Sequence, residues 1–196
     1  MVGEGNVYRF KVTLKGIRPP IWRRIEVLGN YTFYDLHVAI QDAMGWQDYH
    51  LHEFEVRVPT GGVISIGLPD DEFGRSVLPG WKTPLRRFFG KGVRRVTYVY
   101  DFGDYWQHEV VLEEITRADQ AKEYPRLLKG KRACPPEDCG GVPGYYHLLK
   151  TLSDPENPAY QETLEWVRGA YDPEFFDPDQ VFFDDPAERL KDWLEC

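Results

Sequence analysis

The longest hairpin pattern in the chain, on either side of Gly103-Asp104, most constrains the fold. The segments Arg95 to Phe102 and Tyr105 to Ile115 are rich in β-branched and aromatic residues, which favour strands. A glycine followed by aspartate fits a two-residue turn, and this turn sets Asp101 opposite Trp106. The chain is therefore expected to contain an antiparallel sheet with this hairpin as its longest member.

The alternation of side chains along these strands predicts that polar and aromatic groups meet on one face near the hairpin tip. Asp101, Trp106 and His108 fall on one face, and Asp101 lies diagonal to His108, within reach of a hydrogen bond. Such a bond would either orient the ring of a metal-binding histidine or simply satisfy a partly buried imidazole.

The N-terminal part of the chain predicts a hairpin followed by a helix. Val7 to Leu14 and Trp22 to Val27 match two strands joined by a stiff, proline-containing turn. Thr32 followed by Asp35 resembles a capping box, and apolar residues recur at helical spacing until Gly45 ends the run.

Two histidines open the next strand pattern. His50 and His52 share one parity with Phe54, so both face inward if the strand begins early enough. A short strand is then expected at Val63 to Ile66, and a brief helix between Thr83 and Phe89.

Beyond Thr116 the pattern changes to short helices punctuated by proline. These helices are expected at Arg117 to Tyr124, Tyr145 to Leu152, Pro158 to Tyr171 and Pro186 to Leu194. The order of elements predicts an α+β fold with a mixed, mainly antiparallel sheet, grasp-like around the first helix, and short helices in the C-terminal third. We expect one α+β domain over residues 1–153, with residues 154–196 as an acidic helical appendage packed on it.

The net charge of -8 is unevenly distributed. Residues 154–196 hold 13 acids against 3 bases, whereas the rest of the chain is slightly basic. The acidic segment can be an intramolecular clamp, a site for a basic partner or a solvated surface, which is the usual case. Basic clusters such as residues 86–95 leave nucleic acid as a further partner, but a pI of about 5.2 does not favour it.

The chain shows no sign of a membrane segment or of a disulfide framework. No apolar run approaches the roughly 18 residues that a bilayer requires, and the N-terminus has no signal-peptide pattern. Three cysteines are an odd number, which suits free thiols in a reducing compartment. We therefore expect a cytoplasmic protein without a membrane partner.

A second unusual string, ACPPEDCGGVPGYY at residues 133–146, combines thiols, carboxylates and rigid backbone. Imidazole and thiolate suit zinc, so the cofactor of a metal site here would be zinc or another divalent metal. The candidate metal ligands are His50, His52, His108, Cys134 and Cys139. Four residues separate the two cysteines, a spacing that is not specific to zinc, so a structural role for these side chains is the alternative.

Acids in the same two strings offer a second kind of chemistry. Carboxylates can hold magnesium for phosphodiester hydrolysis, and the acids available are Asp101, Asp104, Glu109, Glu137 and Asp138. Asp104 is equally a turn residue, and Glu137-Asp138 can equally solvate a proline loop. Because these acids have both readings, the pattern does not decide whether the protein is an enzyme.

These strings resemble the plasmid pRiA4b ORF-3-like protein family. The matching pieces are Tyr8 to Leu14 with Pro20 to Arg24, Thr32 to Trp46 with His50 to Phe54, Tyr100 to His108, and Cys134 to Tyr146. The resemblance implies a setting on plasmids and other mobile elements, where some members are labelled resolvase-like. A serine recombinase needs a nucleophilic serine near an early strand, whereas the only serines here are Ser65, Ser76 and Ser153, so we do not carry that function over.

A non-catalytic binding or protein-interaction module is the function that we rank first, with an unknown protein or small molecule as partner. Tyrosine, tryptophan and rigid proline loops give contact area at low entropic cost, and both strings contain them. The alternative is a metal-dependent hydrolase acting on a phosphate-containing or nucleic-acid substrate. The candidate ligand or partner residues are His50, His52, Asp101, Asp104, Trp106, His108, Glu137, Asp138 and Tyr145.

Overall fold

The computed structural model describes residues 5–58, 61–69 and 77–195. Its strands are β1 (Asn6–Leu14), β2 (Trp22–Leu28), β3 (His52–Val58), β4 (Gly62–Gly67), β5 (Leu78–Pro79), β6 (Arg95–Tyr100), β7 (Trp106–Arg117) and β8 (Arg126–Lys131). Its α-helices are α1 (Phe33–Met44), α2 (Gly141–Leu152), α3 (Tyr160–Trp166) and α4 (Pro186–Glu195). None of the helices in the described ranges is long and apolar enough to cross a membrane.

The strands form one sheet in the order β5-β4-β3-β6-β7-β1-β2-β8. Each neighbouring pair is antiparallel except β4 and β5, which are parallel. The predicted α+β fold with a mixed, mainly antiparallel sheet is therefore confirmed.

Helix α1 forms where its capping signals predict. The Thr32 hydroxyl accepts a hydrogen bond from the Asp35 backbone, and the Asp35 carboxylate accepts one from the Thr32 backbone. Gly45 ends the helix with a left-handed φ of 89°, and its N–H donates to the Gln41 carbonyl. Both ends of the helix are thus satisfied by local contacts.

An aromatic cluster joins α1 to one face of the sheet. The ring centroid of Phe33 lies 5.2 Å from that of Phe54, 5.8 Å from that of Phe88 and 6.0 Å from that of Phe89. All four side chains are buried, and burial of each stabilises the fold by roughly 1.5–3 kcal/mol. This core holds the N-terminal end of α1 against the sheet.

The opposite face of the sheet carries ion pairs among strands β1, β2 and β7. The Arg9 guanidinium lies 2.8 Å from Glu26, and that of Arg24 lies 2.6 Å from Glu113. All four side chains keep some contact with solvent, and ion pairs near the surface typically contribute about 1 kcal/mol or less each. Their chief effect is to give this face a polar, solvated surface.

The predicted register of the long hairpin is wrong by one residue. Tyr100 pairs with Trp106, and the tip is a longer loop in which the Tyr105 N–H donates to the Asp101 carbonyl over 2.7 Å. Asp101 and Tyr105 adopt left-handed φ angles of 56° and 57°, and the Asp101 carboxylate accepts from the Gly103 N–H. Because Asp101 closes the loop in this way, it has left the strand and does not lie opposite Trp106.

The segment beyond Thr116 contains a strand that the sequence did not predict. Strand β7 continues to Arg117 instead of giving way to a helix over Arg117 to Tyr124, and β8 then pairs with β2. The predicted helix at Pro158 to Tyr171 is the shorter α3, whereas α2 begins four residues earlier than expected and α4 is close to its predicted bounds. Pairing with the already formed sheet prevails over the weak helical signal here.

Residues after α2 contact the rest of the chain through charged and polar groups. Arg189 lies 2.7 Å from the Asp42 carboxylate of α1, and Arg132 lies 2.7 Å from the Glu174 carboxylate. The Tyr171 hydroxyl donates to the Cys134 carbonyl over 3.0 Å. One of the few bases of this acidic segment thus holds it to an acid on α1. The division into a domain and an appendage stays a prediction.

Candidate functional site

The hairpin tip and the loop at residues 133–140 lie against each other. The Gly140 N–H donates to the Asp104 carboxylate over 3.1 Å, and the Tyr100 hydroxyl donates to Glu137 over 2.9 Å. A side chain at Gly141 would come within 2.4 Å of the Asp104 carbonyl oxygen, and the residue has a φ of 66°. Glycine is therefore required for this close approach.

Two predicted carboxylates and one predicted histidine meet at this contact. The Nε2 atom of His50 lies 3.1 Å from Asp138 Oδ1 and 3.7 Å from Asp101 Oδ2. Asp101 and Asp138 both have left-handed backbones, with φ angles of 56° and 58°. Such angles are uncommon in residues other than glycine and concentrate at functional sites.

His52 belongs to a different, buried cluster that the sequence analysis did not foresee. Its ring stacks on that of His37, with centroids 3.4 Å apart and an angle of 9° between the planes. His37 Nε2 lies 2.9 Å from Asp48 Oδ1, and His37 Nδ1 lies 2.8 Å from the Tyr98 hydroxyl, which also accepts from Gln41. His37 shares the apolar face of the predicted helix, and that spacing is the signal that could have revealed it.

Burial sets the protonation of this cluster. Loss of hydration lowers the pKa of His37 well below its ordinary value. The pKa of His52 is also lowered well below its ordinary value, first by loss of hydration and then by the neighbouring His37. Burial raises the pKa of Asp48 to about 6, against the opposing effect of His52 and Arg189. Two imidazolium ions could not stack at this distance without water, so the pair is neutral at pH 7.

The stacked pair is poorly arranged for a shared metal ion. The ligand atoms of His37, Asp48 and His52 all lie within 4.8 Å of one another. However, an imidazole lone pair lies in the plane of its ring, and the two rings are parallel and 3.4 Å apart. An ion midway between them would lie outside both planes, so this cluster is better suited to hydrogen bonding than to coordination.

Several other predicted site residues lie in the core. Trp106, His108 and Tyr145 are fully buried, and the Tyr145 hydroxyl lies 3.3 Å from that of Tyr171. The sequence-based hydrogen bond between Asp101 and His108 does not form, because the shifted register moves Asp101 into the loop. His108 instead packs between aromatic rings.

The two cysteines of the loop do not join the histidines. In the described ranges, the potential metal-binding groups contain imidazole and carboxylate only, so the five predicted metal ligands do not form one cluster. Burial raises the pKa of the Cys139 thiol to about 12 and that of Cys134 further. Both cysteines are therefore neutral thiols at pH 7 when no metal is bound.

A cavity of about 580 Å³ opens beside this junction, between the end of α1, residues 133–138 and residues 166–181. Three of its lining residues are large aromatic side chains that remain exposed: Tyr49 at 72%, Trp166 at 48% and Phe175 at 53%. Four carboxylates and two guanidinium groups also line it, and these are Asp42, Glu137, Asp138, Asp177, Arg23 and Arg168. Of the predicted site residues, the cavity includes only Glu137 and Asp138 and the thiol of Cys134.

Arg23 lies at the inner end of this cavity and is committed to the backbone. Its guanidinium donates to the carbonyls of Trp22, Ala43, Lys131 and Arg132, and it stacks 3.8 Å from the Phe176 ring. Burial lowers the pKa of Arg23 to about 10, so it remains a cation at neutral pH. Because carbonyl oxygens already accept its hydrogen bonds, Arg23 has few N–H groups left to donate to a ligand.

The fold defines an α+β protein with a mixed eight-stranded sheet, and the comparisons identify its family. The family model for the plasmid pRiA4b ORF-3-like protein matches residues 6–180, so the chain belongs to that family. The uncharacterized protein y4hQ of Sinorhizobium fredii (strain NBRC 101917 / NGR234) is 38% identical over 162 residues, which are 82% of this chain and 80% of that protein. The crystal structure of MM3350, a protein of unknown function from Methanosarcina mazei Go1, has 46% identity and a TM-score of 0.85, covering 92% of this chain and 100% of that chain.

Proposed function

We propose that the protein is a non-catalytic binding module that holds a basic segment of a partner protein in the aromatic cavity. The observation that carries this proposal is the exposure of Tyr49, Trp166 and Phe175 around one cavity. Exposed aromatics gathered at a concave surface mark binding sites, since scattered apolar side chains would need no such grouping.

Charge favours a cationic ligand. Four carboxylates and two guanidinium groups line the cavity, and one of those guanidinium groups, Arg23, is occupied by carbonyls. Residues 154–196, which supply one wall, carry 13 acids against 3 bases. Lysine and arginine side chains of a ligand would stack favourably on tryptophan and tyrosine rings. Their positive charges would also be attracted to carboxylates of the lining such as Asp138.

A metal-dependent hydrolase acting on phosphate-containing substrates is the second candidate. It is supported by the approach of His50 to Asp101 and Asp138. However, the acidic lining of the neighbouring cavity repels a phosphate, and a phosphoryl-transfer site needs free cations to stabilise the transition state. The binding role therefore agrees better with the charge of this surface.

The binding role can be tested with labelled peptides and the full-length protein. We expect an arginine-rich peptide that also contains leucine to bind more tightly than the same peptide with glutamate at each arginine, and its affinity to fall as salt rises. Replacement Trp166→Ala or Phe175→Ala should weaken binding about tenfold, which corresponds to about 1.4 kcal/mol. These experiments contain a chelator, so that metal binding does not affect the result.

Phe182→Ala is the matched control. Phe182 is 79% exposed, belongs to the same C-terminal segment and does not line the cavity. Equal loss of affinity in this variant, or equal binding of the acidic peptide, would contradict the proposed site. Metal-dependent release of phosphate from a generic phosphodiester, abolished by Asp101→Asn, would instead establish the hydrolase.

A further inference from the structure

We propose that His50, Asp101 and Asp138 form a binding site for one divalent transition-metal ion of the zinc or manganese type. His50 Nε2 lies 3.1 Å from Asp138 Oδ1 and 3.7 Å from Asp101 Oδ2. The potential ligand atoms of all three residues lie within 4.8 Å of one another. This set differs from the five ligands expected from the sequence, with which it shares only His50.

The distances fit ligands that share one ion. With metal–ligand bonds of about 2.0–2.2 Å, neighbouring ligand atoms are roughly 3.0 Å apart at an octahedral angle and roughly 3.4 Å apart at a tetrahedral one. The distance from His50 Nε2 to Asp138 lies within this range, and the distance to Asp101 is about 0.3 Å longer than its upper limit. Binding of an ion would draw Asp101 closer to the histidine.

The imidazole nitrogen is a second, independent observation. His50 Nε2 is inaccessible to solvent, and no described residue meets it at a hydrogen-bonding angle, although Asp138 Oδ1 is close. A neutral ring with its lone pair directed between two carboxylates would be repelled by both. An N–H at Nε2 would relieve that repulsion, but the contact with Asp138 lacks a hydrogen-bonding angle, so a cation bound between the three side chains fits the geometry better.

The surrounding contacts hold the ligands in place. The Asp101 Oδ1 atom accepts from the Gly103 N–H over 2.8 Å, which leaves Oδ2 directed towards His50. The Asp101 N–H donates to the Leu51 carbonyl over 2.9 Å, and this bond fixes the spacing between the residue 50 segment and the hairpin tip. In the described ranges neither carboxylate pairs with a lysine or arginine, so both charges are available.

Ligand chemistry selects the kind of ion. One imidazole and two carboxylates suit zinc and manganese, whereas magnesium and calcium prefer oxygen alone and copper(I) prefers sulfur. Two carboxylate charges neutralise a divalent ion without help from another residue. Such an ion would join three segments distant in sequence, and because Asp138 also lines the cavity, it would alter the charge at the cavity rim.

Metal binding is measured on full-length protein that has been freed of metal and of any affinity tag. Zinc and manganese are titrated in separate calorimetric experiments, with magnesium as a comparison. We expect one equivalent of zinc or manganese to bind and magnesium to bind at least about tenfold more weakly. Replacement His50→Gln or Asp101→Asn should weaken zinc binding at least about tenfold.

Two controls separate this site from other histidines. His147→Gln removes an exposed histidine on α2 and should leave zinc affinity unchanged. His52→Gln removes one ring of the stacked pair and should also leave zinc affinity unchanged, provided that circular dichroism shows a folded protein. In ¹⁵N-resolved spectra of the imidazole rings, zinc should shift His50 Nε2 selectively. Unchanged affinity in the His50 variant, or a His50 ring that is protonated on both nitrogens and unaffected by zinc, would overturn the proposal.

Discussion

His108 makes the fold sensitive to acid in a way that one substitution can measure. The side chain is 0% exposed, and its ring lies 5.3 Å from the rings of both Trp46 and Tyr98. Neither ring nitrogen meets an acceptor or donor at hydrogen-bonding geometry within the described residues. Burial lowers the pKa of His108 from 6.5 to about 3, although the nearby backbones of Tyr98 and Trp106 oppose the shift in part.

The direction of the pH effect on stability follows from which state, native or unfolded, binds the proton. Between pH 6.5 and about 3, the unfolded state binds a proton at this histidine while the native state does not. The native state therefore loses stability as the pH falls, with a slope that approaches about 1.36 kcal/mol per pH unit. The loss between pH 6.5 and 4.5 is about 2.3 kcal/mol, because half of the unfolded chains already carry the proton at pH 6.5. His37 and His52 act in the same direction, because their pKa values are also lowered, and Asp48 opposes them between its ordinary value and about 6.

His108→Gln and His108→Leu test this reasoning as a pair. Neither substituted side chain titrates, so each variant should lose about 2.3 kcal/mol less than the wild type between pH 6.5 and 4.5. The leucine variant also removes an unsatisfied polar group and should be more stable than the glutamine variant by roughly 1–3 kcal/mol at pH 7.5. Urea unfolding followed by circular dichroism, with a chelator present, measures both differences. Variants that keep the full acid dependence of the wild type would refute the assignment to His108.

Three further predictions concern contacts that shape the fold around the site. Gly141→Ala should destabilise the protein by at least about 2 kcal/mol in thermal or urea unfolding, because both its φ and the neighbouring carbonyl exclude a side chain. Gly92 also has a positive φ, of 95°, but open space around it, so Gly92→Ala should destabilise the protein less. An equal loss of stability in the two variants would contradict the steric argument. Arg189→Ala should increase hydrogen exchange in α4, since it removes the ion pair to α1, whereas Lys191→Ala, on the exposed side, should not. Thr32→Ala should lower the free energy of unfolding by about 1 kcal/mol through loss of the helix cap, and no change on urea unfolding would show that the cap is dispensable.

Local signals were sufficient for α1 but not for the hairpin tip. Thr32, Asp35 and Gly45 satisfy the ends of the helix by contacts within a few residues, so the sequence predicts them directly. The register of β6 and β7 instead depends on a left-handed conformation of Asp101, which the glycine-aspartate pattern does not indicate. A shift of one residue then reverses the expected neighbours of every side chain in the loop.

The predicted contact between the hairpin tip and the loop at residues 133–140 is present, but only some of the predicted side chains meet there. The hairpin tip does contact the loop at residues 133–140, and it brings His50, Asp101 and Asp138 together. The stacking of His37 on His52 could not be predicted, because it depends on how α1 lies across β3. The cavity was missed for a similar reason, since one of its walls is formed by a segment more than a hundred residues away from α1 along the chain.

The contacts of Arg23 limit which residues can occupy this position. Its planar group reaches four carbonyl oxygens that belong to the end of a helix, two strands and the loop that follows them. An ammonium group has three donors radiating from a single nitrogen and cannot span so wide a set of acceptors. Lysine at this position would leave buried oxygens without donors, so the two basic residues are not interchangeable there. The charge at this point serves the architecture.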